Sequence, residues 1–228
     1  MVLAVFAFLL LCALATPGRA GAIVIGFVGG FVAHDNAIHN EVRIAGRLRA
    51  DSASGVEVRM FENHRGEEAR QEVIRLLDHD RNGRLSTEEK GHARIAIYGH
   101  SWGASEAIAL ARALERDRIP VLLTVQVDSV QKPFEDDASI PANVRQAVNF
   151  YQSEGLLHGR AQIHAADSSR TEILGNFQFA YKDKPVSCPG YSWFARTFMK
   201  AHIEIESDPA VWGQVEALIR AKLNLAAR

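Results

Sequence analysis

The sequence predicts an α/β domain, a mostly parallel sheet with helices on both faces, and three observations carry that expectation. Short apolar, β-branched runs alternate with amphipathic stretches along the chain, the order of a sheet whose crossovers are helices. Val121–Val127 is almost continuously apolar, so both of its faces are buried, as in a parallel sheet. Arg94–Gly99 reads as a strand that stops on glycine, and after one serine an Ala-rich helical stretch runs to Arg118. The 228 residues hold no internal repeat and no Pro/Gly/Ser-rich linker, so they suit one filled core.

Each element has its own warrant. Ile23–Phe27 is a β-branched run and the first strand of the domain. Asn36–Ala50 sets Ile38, Val42 and Ala45 on one helical face, with Arg43, Arg47 and Arg49 elsewhere. Ser52–Gly55 breaks that pattern, Val56–Phe61 alternates as the next strand, and Glu67–Leu77 is again helical. After Val121–Val127, Ala142–Tyr151 reads as a helix and Arg160–Ala165 as a further strand. Gly175–Phe198 is rich in aromatic residues without a period, so an irregular segment is expected there. Its rings would either plug the core or wall an acyl site. The last helix is capped by Ser207 or Asp208, begins on Pro209 and buries Val211, Val215, Leu218 and Ile219.

Bulk composition limits the function classes. Apolar residues make up 47% of the chain and charged residues 23%, with a formal net charge of −1. Without a basic run there is no case for nucleic acid or an anionic membrane surface as a partner. Val2–Ala15 is apolar but too short to cross a bilayer, and small residues Gly18 and Ala20 follow it. That pattern suits a signal peptide over residues 1–20, with a secreted or periplasmic domain over 21–228, although no basic residue precedes the apolar run. Leu11 before Cys12 argues against a lipoprotein cysteine. Removal of the leader would leave Cys188 without a partner, in a turn-like segment with no adjacent histidine, and so structural.

The chemistry centres on Gly99-His100-Ser101-Trp102-Gly103, a G-x-S-x-G pattern between a strand and a helix. That context is the one a nucleophile elbow needs: glycines allow the sharp turn, and the helix start aims free N–H groups at whatever the hydroxyl attacks. His100 adjoins the serine and is expected to project away from it. At these residues the chain resembles the α/β-hydrolase superfamily, in particular its lipases and esterases, in the order of its elements and in a few motifs. The resemblance implies a Ser-His-Asp triad in that superfamily's chain order, serine then acid then histidine. Ser101 would be the nucleophile and His202, on a loop before the final helix, the base. Two acids stand at expected strand ends, Asp128 and Asp167, and Asp128 is favoured because it ends the more clearly buried strand. In the resembling lipases a His-Gly-x-x-Gly loop donates one oxyanion N–H. Here Ile25-Gly26-Phe27-Val28-Gly29 stands in its place, so the expected donors are the N–H groups of Phe27 and Trp102. The implied reaction is hydrolysis of a small-molecule or lipid ester, without a cofactor for catalysis. A non-catalytic, calcium-stabilised secreted binding protein on the same scaffold is the alternative from another class.

One further motif stands apart. Asp78-His79-Asp80-Arg81-Asn82-Gly83-Arg84-Leu85-Ser86-Thr87-Glu88-Glu89 follows the EF-hand loop position by position. Asp78, Asp80, Asn82, the Arg84 carbonyl and Glu89 would ligate Ca2+, with Gly83 making the turn and Ser86 acting through water. The entering helix is expected and an exiting one is not, so the reading is a lone structural site. The leader makes a direct prediction: N-terminal sequencing of exported protein should find a start near Gly21, and a start at Met1 would refute the cleavage.

Overall fold

The structure, a computed structural model, describes residues 21–50 and 55–225. The expected leader and Cys12 lie outside the described residues. Six parallel strands form the sheet: β1 (Ala22–Val28), β2 (Val56–Glu62), β3 (Ile95–His100), β4 (Val121–Val127), β6 (Val144–Gln152) and β8 (Glu172–Phe179), in the order β2-β1-β3-β4-β6-β8. The expected α/β architecture is therefore the observed one.

Two hydrophobic layers cover the sheet. On one face α1 (Asn40–Arg49), α6 (Lys200–Ser207) and α7 (Pro209–Lys222) pack Ile44, Leu48, Ile205, Trp212 and Ile219 against Val24, Tyr98, Val125 and Phe150. On the other, α2 (Gly66–Leu77) and α4 (Trp102–Arg116) pack Val73, Leu77, Ile108 and Leu114 against Ile23, Ile25, Ile97 and Val121. Except for α6, each of these helices hides one apolar stripe, and each central strand hides both faces, as its unbroken apolar run requires. The chain leaves β1 toward β2 on one side and returns to β3 on the other. The sheet order thus reverses beside β1, and the loops after β1 and β3 meet above it, where ligands of open α/β sheets bind.

Four expectations are corrected. Ala142–Tyr151 is not a helix: Val144–Gln152 is strand β6, hydrogen-bonded between β4 and β8. Val144, Val148 and Tyr151 mimic helical spacing, but β-branched and aromatic residues pack better on a pleated surface with partners on both sides. Arg160–Ala165 contributes only β7 (His164–Ala165), paired with β5 (Ser139–Ile140) outside the main sheet. The sixth strand is instead β8, which overlaps the start of the segment expected to be irregular. This edge strand is only partly covered on either side, so it carries neither an unbroken apolar run nor a clean alternation, and its Phe177 is half exposed, stacked on Phe150 at 5.6 Å. His202 lies not on a loop but in α6, which has buried residues all round and so no amphipathic stripe to reveal it.

The glycines around the serine are positions of close approach. A Cβ on Gly103 would come 2.5 Å from the Phe27 carbonyl oxygen, and one on Gly99 would come 2.3 Å from that of Gly103. Both obstacles are backbone and cannot step aside. Gly103→Ala should therefore cost about 1–3 kcal/mol, as overpacking does, which is roughly 2–12 °C in Tm at this size. A thermal melt showing no loss would refute the close packing of α4 on β1.

Candidate active site

The site is built where β3 ends. Ser101 occupies the N-cap of α4 with φ 56° and ψ −123°, a strained conformation for a residue with a side chain. Its N–H donates to the Val127 carbonyl at 3.0 Å and its own carbonyl accepts from Val130 at 3.3 Å, so the end of β4 grips the turn from both sides. The hydroxyl is not used as a helix cap, although serine commonly caps in that position. The N–H of Trp102, the first residue of the helix, precedes any intrahelical acceptor, whereas that of Ala104 already donates to the Ser101 carbonyl at 3.0 Å.

Asp128 follows β4 and has no solvent exposure. Its Oδ2 lies 2.6 Å from Nδ1 of His202 and accepts Nε2 of Gln152 at 2.8 Å, while Oδ1 accepts the N–H groups of Gly159 at 2.8 Å and Gln152 at 3.1 Å. Four donors hold one carboxylate, and Asp128 has a positive φ of 45° that these bonds must sustain. A Cβ on Gly159 would meet the Asp128 backbone at 2.4 Å, so only glycine brings its N–H so close. The pair with Asp128 assigns the Nδ1 proton of His202 and leaves Nε2 as the basic nitrogen. His202 and Ser101 line one cavity of about 110 Å³ and are not hydrogen-bonded to each other in the free protein, a contact that often tightens only around substrate.

Of the two acids, the structure brings only Asp128 to the histidine. Asp167 accepts the N–H and hydroxyl of Ser169 at 2.9 and 2.6 Å in a local turn. Phe27, the expected oxyanion donor, lies within β1, in register with Phe61 on one side and Gly99 on the other. Gly29 and Gly30, just past β1, stand beside the serine instead. A Cβ on Gly29 would come 3.0 Å from the Ser101 Cβ, and both glycines line the cavity. The amide of Asn63 donates to the Gly30 carbonyl, and Lys132 holds the Asn63 carbonyl at 2.8 Å while pairing with Glu106. His100 does not project away: it lines the cavity, and its ring lies against that of His202, 4.6 Å between centroids. Burial, and then His202, lower its pKa to about 4, so at neutral pH it places no charge beside His202.

Sequence reasoning missed Gln152 and Gly159, which lie between the stretch expected as a helix and the next expected strand. It also missed His39, Glu41, Tyr191 and Glu206, which line the same cavity. Burial, and then the Glu206 carboxylate, push the Glu41 carboxyl well above its usual range. The aromatic segment divides: Tyr181 is buried, whereas Trp193, Phe194 and Phe198 of α5 (Trp193–Phe198) are exposed and in mutual ring contact. Cys188 is buried and free, between the carbonyls of Val186 and Ile203, in keeping with a structural role.

The Asp78–Glu89 loop lies away from this cavity. Gly83 has φ 79°, and the carboxylate oxygens of Asp78, Asp80 and Glu89 converge within 4.8 Å. Asp78 accepts the N–H groups of Asn82 and Gly83, Asn82 Oδ1 accepts that of Arg84, and Glu89 accepts those of His79 and Ser86. An exiting helix is present after all, the single turn α3 (Thr87–Gly91), closed by a capping box between Ser86 and Glu89.

The fold and site together define a class: a parallel α/β protein with a strained serine at a strand–helix elbow and a buried Asp–His pair at the next strand end. A scan against protein-family models finds no match, and neither does a search of curated proteins. Among solved structures the chain is similar to a cutinase-like protein from Cryptococcus sp., at 12% identity and a TM-score of 0.48 over 91% of this chain and 97% of that one. It is also similar to an α/β serine hydrolase without a lid from Xanthomonas campestris, at 12% and 0.41 over 93% and 87%. Human thioesterase 2 is similar at 10% and 0.44 over 90% and 97%. At such values the likenesses carry no argument about activity. Among the described residues no helix is long and apolar enough to cross a membrane.

The carboxylate geometry separates the two acids. Asp128→Asn should lower kcat by about 10⁴-fold, because the imidazole loses the partner that sets its tautomer. Asp167→Asn should stay near wild type. Steady-state ester kinetics on both variants check this, and the reverse ranking would move the acid role to Asp167.

Proposed function

We propose that the protein is a serine hydrolase that cleaves an ester through an acyl-enzyme on Ser101. The observation that carries the reading is the His202–Asp128 hydrogen bond at 2.6 Å beside the strained Ser101, on one cavity at the carboxyl ends of the strands. Ser101 Oγ attacks the ester carbonyl carbon and passes its proton to Nε2 of His202. The carbonyl oxygen becomes an oxyanion facing the N–H of Trp102 and an N–H of the Gly29–Gly30 turn, donors each worth about 3 kcal/mol. His202 then gives its proton to the departing alcohol. Water, deprotonated by the same nitrogen, releases the acid and restores the serine. The exposed rings of α5 and Phe31, which meets Trp102 edge-on at 5.8 Å, favour an ester with an apolar group. A fluorophosphonate should label Ser101, and Ser101→Ala should lower turnover of short p-nitrophenyl esters by about 10⁶-fold. An unlabelled serine with no turnover by the wild type would return the chain to the binding-protein reading, and turnover unchanged in Ser101→Ala would move the activity off Ser101.

The Asp78–Glu89 loop is proposed as a structural Ca2+ site. Its donor set fits: hard oxygens from Asp78, Asp80, Asn82, Glu89 and the Arg84 carbonyl, around a glycine turn. When bound, the ion would neutralise three converging carboxylates and tie α2 to β3. Calcium at 100 times its Kd should add about 2.7 kcal/mol of stability, or roughly 5–10 °C in Tm. Melts in EDTA, in millimolar calcium, and of Asp78→Ala test it, and identical midpoints would empty the loop. Export of the mature domain beyond residue 20 is part of the same proposal, since millimolar calcium is an extracytoplasmic condition.

A further inference from the structure

The cavity that holds Ser101 is also lined by residues that the proposed hydrolase reaction does not use. His39 is the N-cap of α1, Glu41 lies in its first turn, and Glu206 lies one helical turn after His202 on α6. That i, i+4 spacing is why Glu206 and His202 reach the same cavity. One ligand atom from each of His39, Glu41 and Glu206 lies within 4.8 Å of the other two. All three residues are buried, with 9%, 0% and 3% of their surface exposed.

The partners of these groups are incomplete. Nδ1 of His39 and one oxygen of Glu206 are hydrogen-bonded, and Tyr191 Oη reaches the other oxygen of Glu206 and lies 3.2 Å from His39 Nδ1. Glu41 has no partner within ordinary hydrogen-bond geometry for either carboxylate oxygen, although both are shielded from water. Two ionised carboxylates side by side are costly to bury unless a cation joins them or one takes up a proton. Among the described residues neither lysine nor arginine is hydrogen-bonded to them: Glu206 has His39 and Tyr191, and Glu41 lies against Glu206 itself and the Gly29 backbone.

We infer that His39, Glu41 and Glu206 form a binding site for a divalent transition-metal ion of the zinc type, in the same cavity as Ser101. One imidazole nitrogen and two carboxylate oxygens match such an ion, whereas Ca2+ and Mg2+ take oxygen ligands. Three protein donors leave a coordination position for solvent or a substrate oxygen within the cavity. The site is separate in residues from the Asp78–Glu89 loop and does not depend on Ser101 being reactive.

The test uses the full chain, equilibrated with Zn2+, freed of excess ion and assayed for bound metal, alongside Glu41→Gln, Glu206→Gln, Asp78→Ala and Ser101→Ala. Wild type, Asp78→Ala and Ser101→Ala should each hold one zinc. The two glutamine variants should lose more affinity than the roughly 10–100-fold that removal of an outer-shell partner costs. Co2+ added to wild type should give visible d–d bands displaced by Zn2+, a readout that needs no variant to fold. Failure of folded wild type to bind either ion would overturn the inference. So would wild-type affinity in both glutamine variants, or loss of the zinc with Asp78→Ala. Because Ser101→Ala keeps the metal but loses the esterase, failure of this site and failure of the hydrolase reading are distinguishable.

Discussion

The structure depends on one constraint, the positive φ of Ser101. A serine does not hold that conformation without support, and the support comes from several parts of the chain. The Ser101 N–H is fixed on the last carbonyl of β4, and its carbonyl accepts from the loop beyond β4. The missing side chains of Gly99 and Gly103 let α4 sit directly on the β1 and β3 backbones. Because the same β4 end carries Asp128, the element that clamps Ser101 also positions Asp128. The two residues are thus registered to one another by sheet hydrogen bonds rather than by loop conformation.

The acid has its own scaffold, and it explains why β6 must be a strand. Asp128 is held by Gln152 at the end of β6 and by Gly159 just beyond it. A helix in that place would put neither the N–H nor the amide of Gln152 against the carboxylate. The carboxylate is thereby left with one oxygen for His202 and no access to water, which keeps it an orienting group.

Much of this was legible in the sequence because the central strands are buried on both faces and carry unbroken apolar runs. Val121–Val127 and the G-x-S-x-G turn after β3 could hardly be read otherwise. The boundaries of β6, β8 and α6 were not legible, for three different reasons. The apolar residues of β6 satisfy helical and strand spacing alike. β8 is an edge strand only partly covered on either side. α6 is buried all round, so His202 could be placed by chain order but not by periodicity. β1 runs to Val28, one residue beyond the β-branched run that signalled it, so Gly29 and Gly30 are the residues of this turn that line the cavity. The His39–Glu41–Glu206 cluster left no trace in the sequence. Its members stand on two helices 165 or more positions apart, joined only by the packing of α1 on α6.

α6 sets the electrostatics of the cavity. Within one turn it presents His202, which the proposed reaction would protonate, and Glu206, which is partnered by His39 and Tyr191. Between them His100 stays neutral, since burial and the adjacent imidazole hold its pKa near 4. The imidazolium formed on His202 therefore meets Asp128 on one side and an uncharged ring on the other. Glu206 brings negative charge to the same cavity, while burial and Glu206 push the neighbouring Glu41 toward its neutral form. In the proposed reaction a substrate oxyanion at Trp102 would feel Glu206, and in a low-dielectric cavity the repulsion would be strong. In the proposed metal site a cation held by Glu41 and Glu206 would remove that repulsion at its source.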